Sequence, residues 1–142
     1  MAAAAAAVDQ LNELVRRVAE LREEWISRVA EYRESQGMRP APRAGSATSR
    51  ILESLPEAPV LTTSTARRIL GVSFPAAGNA LEELRQAEVL TTRSIERNAT
   101  AYIADEVLDL ITSSERRLAS TRFDTRLAPP SRPAPARPQH RS

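Results

Sequence analysis

Seven side chains in this sequence have types and spacing suited to gripping a polyanion: Arg67, Arg68, Ser73, Asn79, Arg85, Arg93 and Arg97. A guanidinium pairs with guanine edges or phosphates, an asparagine amide with adenine, and a serine hydroxyl with phosphate. Arg67 and Arg68 are placed to meet a nucleic-acid backbone, Asn79 and Arg85 to reach bases, and Arg93 and Arg97 to hold phosphates beside Glu96. Other chemistry is poorly supplied. The one histidine is His140, in a segment rich in proline and arginine, and there is no cysteine. The glycines stand apart at 37, 45, 71 and 78, so no glycine loop is set to cradle a phosphate. No nucleophile has a base at a plausible spacing, and the acids fall on helix surfaces. The residues therefore imply a protein that is not an enzyme, with no cofactor and no metal.

Charge divides unevenly along the chain. The formal net charge is +2, and all 20 basic residues are Arg. Residues 8–36 carry seven acids against five Arg, and residues 49–119 carry ten against eight, so each is −2. Residues 37–48 contribute Arg39 and Arg43, and residues 120–142 contribute five Arg against Asp124. The segment that holds the seven candidates is thus slightly acidic, which argues for weak phosphate binding. The alanine-rich start is too short to span a membrane and lacks the charged lead of a signal peptide, so a cytoplasmic location and no membrane partner are expected.

The elements that must position these residues are legible as periodicities. Val8, Leu11, Leu14, Val15, Val18, Leu21, Trp25, Ile26, Val29 and Tyr32 recur at steps of three and four, giving a long helix over 1–36 with an apolar stripe. The stripe is wide for a lone helix and needs a partner: its own domain, a second copy, or another chain. Residues 37–48, with Gly37, Pro40, Pro42 and Gly45, read as a linker. Ser49 is set to cap a short helix ended by Pro56 and Pro59. Thr62 or Thr63 caps the next helix, through Leu70, and Gly71 supplies a turn. Ser73 then opens a helix with Pro75 in its first turn, where a missing N–H costs nothing. That helix runs to about Ala87 with Phe74, Ala77, Leu81 and Leu84 inward. Residues 89–92 and 101–104 read as two strands of a wing, and Asp105 caps a helix to about Ala119 with Val107, Leu108, Ile111 and Leu118 inward. The fold class is mainly α: a long N-terminal helix, then a winged helix-turn-helix over 49–119 with three to four helices and a two-stranded wing. Residues 120–142, with five prolines, are expected to be a disordered tail.

From Ala2 to about Ile111 the sequence resembles the C-terminal part of bacterial Fic proteins. The matching stretches are Leu-Arg-Glu-Glu-Trp at 21–25, Ile-Leu-Glu-Ser-Leu-Pro-Glu-Ala-Pro-Val at 51–60 and Ala-Arg-Arg-Ile-Leu-Gly-Val-Ser-Phe-Pro-Ala-Ala at 66–77. They continue with Asn-Ala-Leu-Glu-Glu-Leu at 79–84, Glu-Arg-Asn at 96–98 and Tyr-Ile-Ala-Asp-Glu-Val-Leu-Asp-Leu-Ile at 102–111. Fic enzymes typically transfer AMP from ATP to a protein hydroxyl through an HPFxxGNGR loop, which this sequence lacks. The resemblance implies a non-catalytic regulatory module, a truncated product or split subunit, whose residues 8–32 meet a Fic catalytic core or a second copy. The alternative is a small winged-helix transcription regulator that dimerises through its N-terminal helix. Three departures from related winged helices bear on DNA reading. Glu88 stands where Gly is common, Gly78 interrupts a helix, and residues 97–100 lack a second Arg.

Overall fold

The computed structural model describes residues 2–96 and 98–125. Among them are five helices and three strands, in the order α1 (Ala2–Ser35), α2 (Ala47–Ser54), β1 (Val60–Leu61), α3 (Thr63–Leu70), α4 (Phe74–Gln86), β2 (Thr91–Glu96), β3 (Ala99–Ile103) and α5 (Asp105–Thr125). The strands form one antiparallel sheet in the order β1-β3-β2. Val60 faces Ile103 on one side of β3 and Thr91 faces Ile103 on the other. Helices α2, α3 and α4 with this sheet make a winged helix-turn-helix behind a long helix, the mainly helical class expected. The sheet has three strands where two were expected, because Val60 and Leu61 reach across to the wing. Helix α5 continues to Thr125, six residues past the expected end at Ala119 and into the stretch 120–142 read as a disordered tail; the rest of that stretch, with His140, lies outside the described residues.

Local chemistry sets the turns. The Thr62 hydroxyl accepts the Thr65 N–H at 3.1 Å, and the Ser73 hydroxyl accepts the Ala76 N–H at 3.2 Å. Each satisfies one of the donors that a helix start leaves bare. Gly71 closes α3 at φ 65°, where a side chain would be strained. At the end of α4 it is Glu88 that takes the left-handed conformation, φ 64°, in the position where Gly is common. Its carbonyl accepts the Arg28 guanidinium at 3.0 Å, which helps to hold it there. The start of α2 departs from expectation. Ser46, not Ser49, caps it, because the helix begins at Ala47.

The core is continuous from the winged helix into α1. Ile51, Leu55, Leu81, Leu84 and Val107 are fully buried together with Trp25 and Val29 of the long helix. Trp25 is 1% exposed, and truncating it to Ala would cost about 3–5 kcal/mol. Helix α1 runs antiparallel to α5: Gln10 hydrogen-bonds the Arg117 carbonyl at 3.4 Å, and the Trp25 indole N–H donates to Glu106 at 3.4 Å. Its C-terminal half therefore finds its partner within the chain. On its N-terminal half, Val8, Leu11 and Val15 stay 56%, 59% and 61% exposed. Two inward assignments are corrected. Phe74 is 53% exposed, because as the first residue of α4 it precedes the buried turn that starts at Ala77. Ile111 is exposed on the flank of α5, while Leu108 and Leu118 are half-buried.

Candidate nucleic-acid interface

Two of the seven candidates sit side by side. Arg67 and Arg68 occupy the last turn of α3, both exposed, and with Ser64, Gly71 and Val72 they line a shallow hollow at the turn into α4. Among the described residues no acid pairs with either. Ser73 is exposed, but its hydroxyl oxygen caps α4. Capping uses an acceptor lone pair, so the hydroxyl proton remains able to donate to a phosphate.

The other candidates diverge. Asn79 lines a separate groove with Tyr32, Arg33, Met38 and Thr48, between α4 and the end of α1. Arg85 lines a third hollow with Gln86, Thr91 and Thr92, where α4 meets the wing. It is held from below by Glu82, with its Nε 3.0 Å from each carboxylate oxygen. The Arg85 hydrogen bonds keep the Glu82 carboxyl below its ordinary range, and Glu82 raises Arg85 in turn. Arg85, expected from its position to reach a base, is thus engaged by a neighbour one turn earlier, a pair legible from its i, i+3 spacing. Arg93 is exposed on β2, whose six residues all face water. Arg97 lies outside the described residues. The adjacent Asn98 makes the wing turn at φ 62°.

Acids of the winged helix are drawn inward by arginines of α1, a pattern that regional charge did not reveal. Glu83 pairs with Arg33, the two side chains only 14% and 17% exposed, and also accepts the Thr48 hydroxyl. Glu106 receives two N–H groups of Arg28, one at 2.9 Å, and the Trp25 indole. Those contacts, Arg28 first, hold the Glu106 carboxyl below its usual range. Glu82, Glu83 and Glu106 each hold an arginine, while Arg67 and Arg68 at the end of α3 and Arg93 on β2 are exposed. Beside the cations the surface is apolar: Ile69 is 54% and Phe74 53% exposed. Sequence reasoning missed both, because helical phase alone does not say which flank of a short helix is covered.

Among the described residues no group of His, Asp and Glu side chains is arranged to hold a metal ion, and no helix is long and apolar enough to cross a membrane. A scan against models of known protein families matches none of them, and no curated protein matches the sequence.

Proposed function

We propose that this chain is a non-catalytic regulatory and binding module, the winged-helix end of a Fic-type protein, and that its ligand is duplex DNA. The observation that carries the reading is the pair Arg67 and Arg68, adjacent and exposed with no acid paired to either among the described residues, next to the Ser73 hydroxyl at the start of α4. An unpaired guanidinium releases counterions when it meets a phosphate, whereas one already bound to a carboxylate gains less. Contact is mostly to the backbone, since Arg85 is engaged by Glu82 and the start of α4 offers Phe74, Pro75 and Ala76. Binding is therefore largely sequence-independent, in the range of ~10⁻⁴ to 10⁻⁶ M at physiological salt.

A gel shift at low salt tests this. The wild-type chain retards duplex DNA, and Arg67→Ala with Arg68→Ala weakens the shift by about tenfold or more. A shift indifferent to both substitutions would sink the DNA reading. Incubation with labelled ATP and a target protein tests the other half; AMP transfer by this chain alone would overturn it. A second reading, a free-standing transcription regulator, is favoured by Leu21, Trp25 and Val29. These pack into the chain's own core, so the winged helix needs no catalytic core to complete it. A footprint at one site in neighbouring genomic DNA separates that reading from uniform binding.

A further inference from the structure

We propose that a second copy of this chain packs on the outer flank of the α1–α5 pair, closing an antiparallel four-helix bundle about a two-fold axis level with Glu13 and Ser114. The proposal uses none of Arg67, Arg68 and Arg93 and stands or falls apart from DNA binding. Gln10, Glu13, Leu14 and Arg17 line one hollow with Leu110, Ser113, Ser114 and Arg117, so the two helices face each other along these rows. At about 100° per residue, Val8, Leu11 and Val15 lie about 60–120° round α1 from Leu14. In the same rotational sense, Ile111 and Leu118 lie about 80–100° round α5 from Leu110. In an antiparallel pair, equal offsets of the same sense fall on one side. Exposed Val8, Leu11, Val15 and Ile111 and the half-buried Leu118 therefore fall on a single face.

That face matches itself. A two-fold axis between Leu11 and Val15 puts Leu11 of one copy opposite Val15 of the other and Val8 opposite Val18. Gln10 stands level with Arg117, so the same axis crosses α5 near Ser114 and puts Ile111 opposite Leu118. Two independent helices thus agree on one register. Such reciprocity is what an isologous interface requires. Along the outer edge of α1, Asp9 of one copy comes nearly level with Arg16 of the other. Arg16 is 66% exposed and pairs with Glu13 one turn before it, so it would leave that acid for Asp9 of the other copy or bridge the two. From Val8 to Val18 the strip is about 15 Å long and about 19 Å wide from helix dimensions, on the order of 300 Å² in outline. That is smaller than the roughly 800 Å² per partner of a standard interface, so the dimer is expected to be weak and to form at high protein concentration.

Sedimentation equilibrium of the full chain tests this. At high protein concentration the wild type is expected at twice the 15.6 kDa chain mass, and Leu11→Glu or Val15→Glu at the chain mass with unchanged far-ultraviolet circular dichroism. Asp9→Arg alone weakens the dimer several-fold, and Asp9→Arg with Arg16→Asp restores it. A chain that stays monomeric at every concentration means that another protein, or residues 126–142, covers this face, and overturns the proposal. So does a dimer that none of these substitutions alters.

Discussion

Arg28 and Arg33 differ from Arg67 and Arg68 in what stands opposite them. The first two rise from α1 onto Glu106 and Glu83 and tie the long helix to α5 and α4. The second two end α3 with water around them. All four carry the same charge, so the difference lies in position. Arginine facing a half-buried acid holds the fold, and arginine left without one is open to a ligand. The regional charge of the winged helix, −2, conceals this, because its acids at the core are engaged by arginines that belong to another segment.

The largest effect that separates the two sets is at Arg33. Arg33→Ala leaves Glu83 mostly buried with the Thr48 hydroxyl alone, and breaking a buried pair costs about 3 kcal/mol. Urea denaturation should read that loss, while the folded fraction binds DNA as before. Equal loss of stability on Arg67→Ala would erase the distinction.

Next comes pH. The folded-state pKa of Glu106 is lowered by Arg28, so near and below the ordinary carboxylate range the unfolded chain binds more protons than the folded one. The stabilisation from this contact is complete above the ordinary range and is lost as pH falls through the lowered value. Thermal melts below about pH 4.5 should show the loss, and Glu106→Gln should flatten it. The same melt slope in both proteins would contradict the assignment.

The smallest effect sharpens the comparison by moving a residue from one set to the other. Glu82→Gln frees Arg85 at little cost in stability, since the i, i+3 pair is largely screened by solvent. DNA affinity should rise a few-fold in fluorescence anisotropy. No rise would mean that Arg85 lies off the DNA path.

What the sequence made legible was local. The caps at Thr62 and Ser73, the turn at Gly71 and the left-handed demand at Glu88 all follow from backbone groups within a few residues, and each is found in place. What it hid was long-range. Two residues, Val60 and Leu61, make too short a run to mark a strand, and they become one only by pairing with Ile103 and Tyr102 some 40 positions later. Phase predicted that Phe74 turns inward, yet only packing decides the flank, and α4 buries its face from Ala77 onward. The apolar stripe of α1 was visible as one feature. Its division into a covered side, with Leu21, Trp25 and Val29, and an exposed flank, with Val8, Leu11, Val15 and Ile26, depends on where α5 and the winged helix reach. Of the seven candidate residues, type and spacing identified the arginines, but only the neighbours in space show that Arg85 is engaged and Arg67 and Arg68 are not.

The salt dependence of DNA binding tests the central claim most directly. Log affinity should fall linearly with log salt. The double variant Arg67→Ala with Arg68→Ala should lower the slope by about 0.9 for each phosphate that is no longer neutralised, close to two in all. Identical slopes and affinities for wild type and variant would contradict the account.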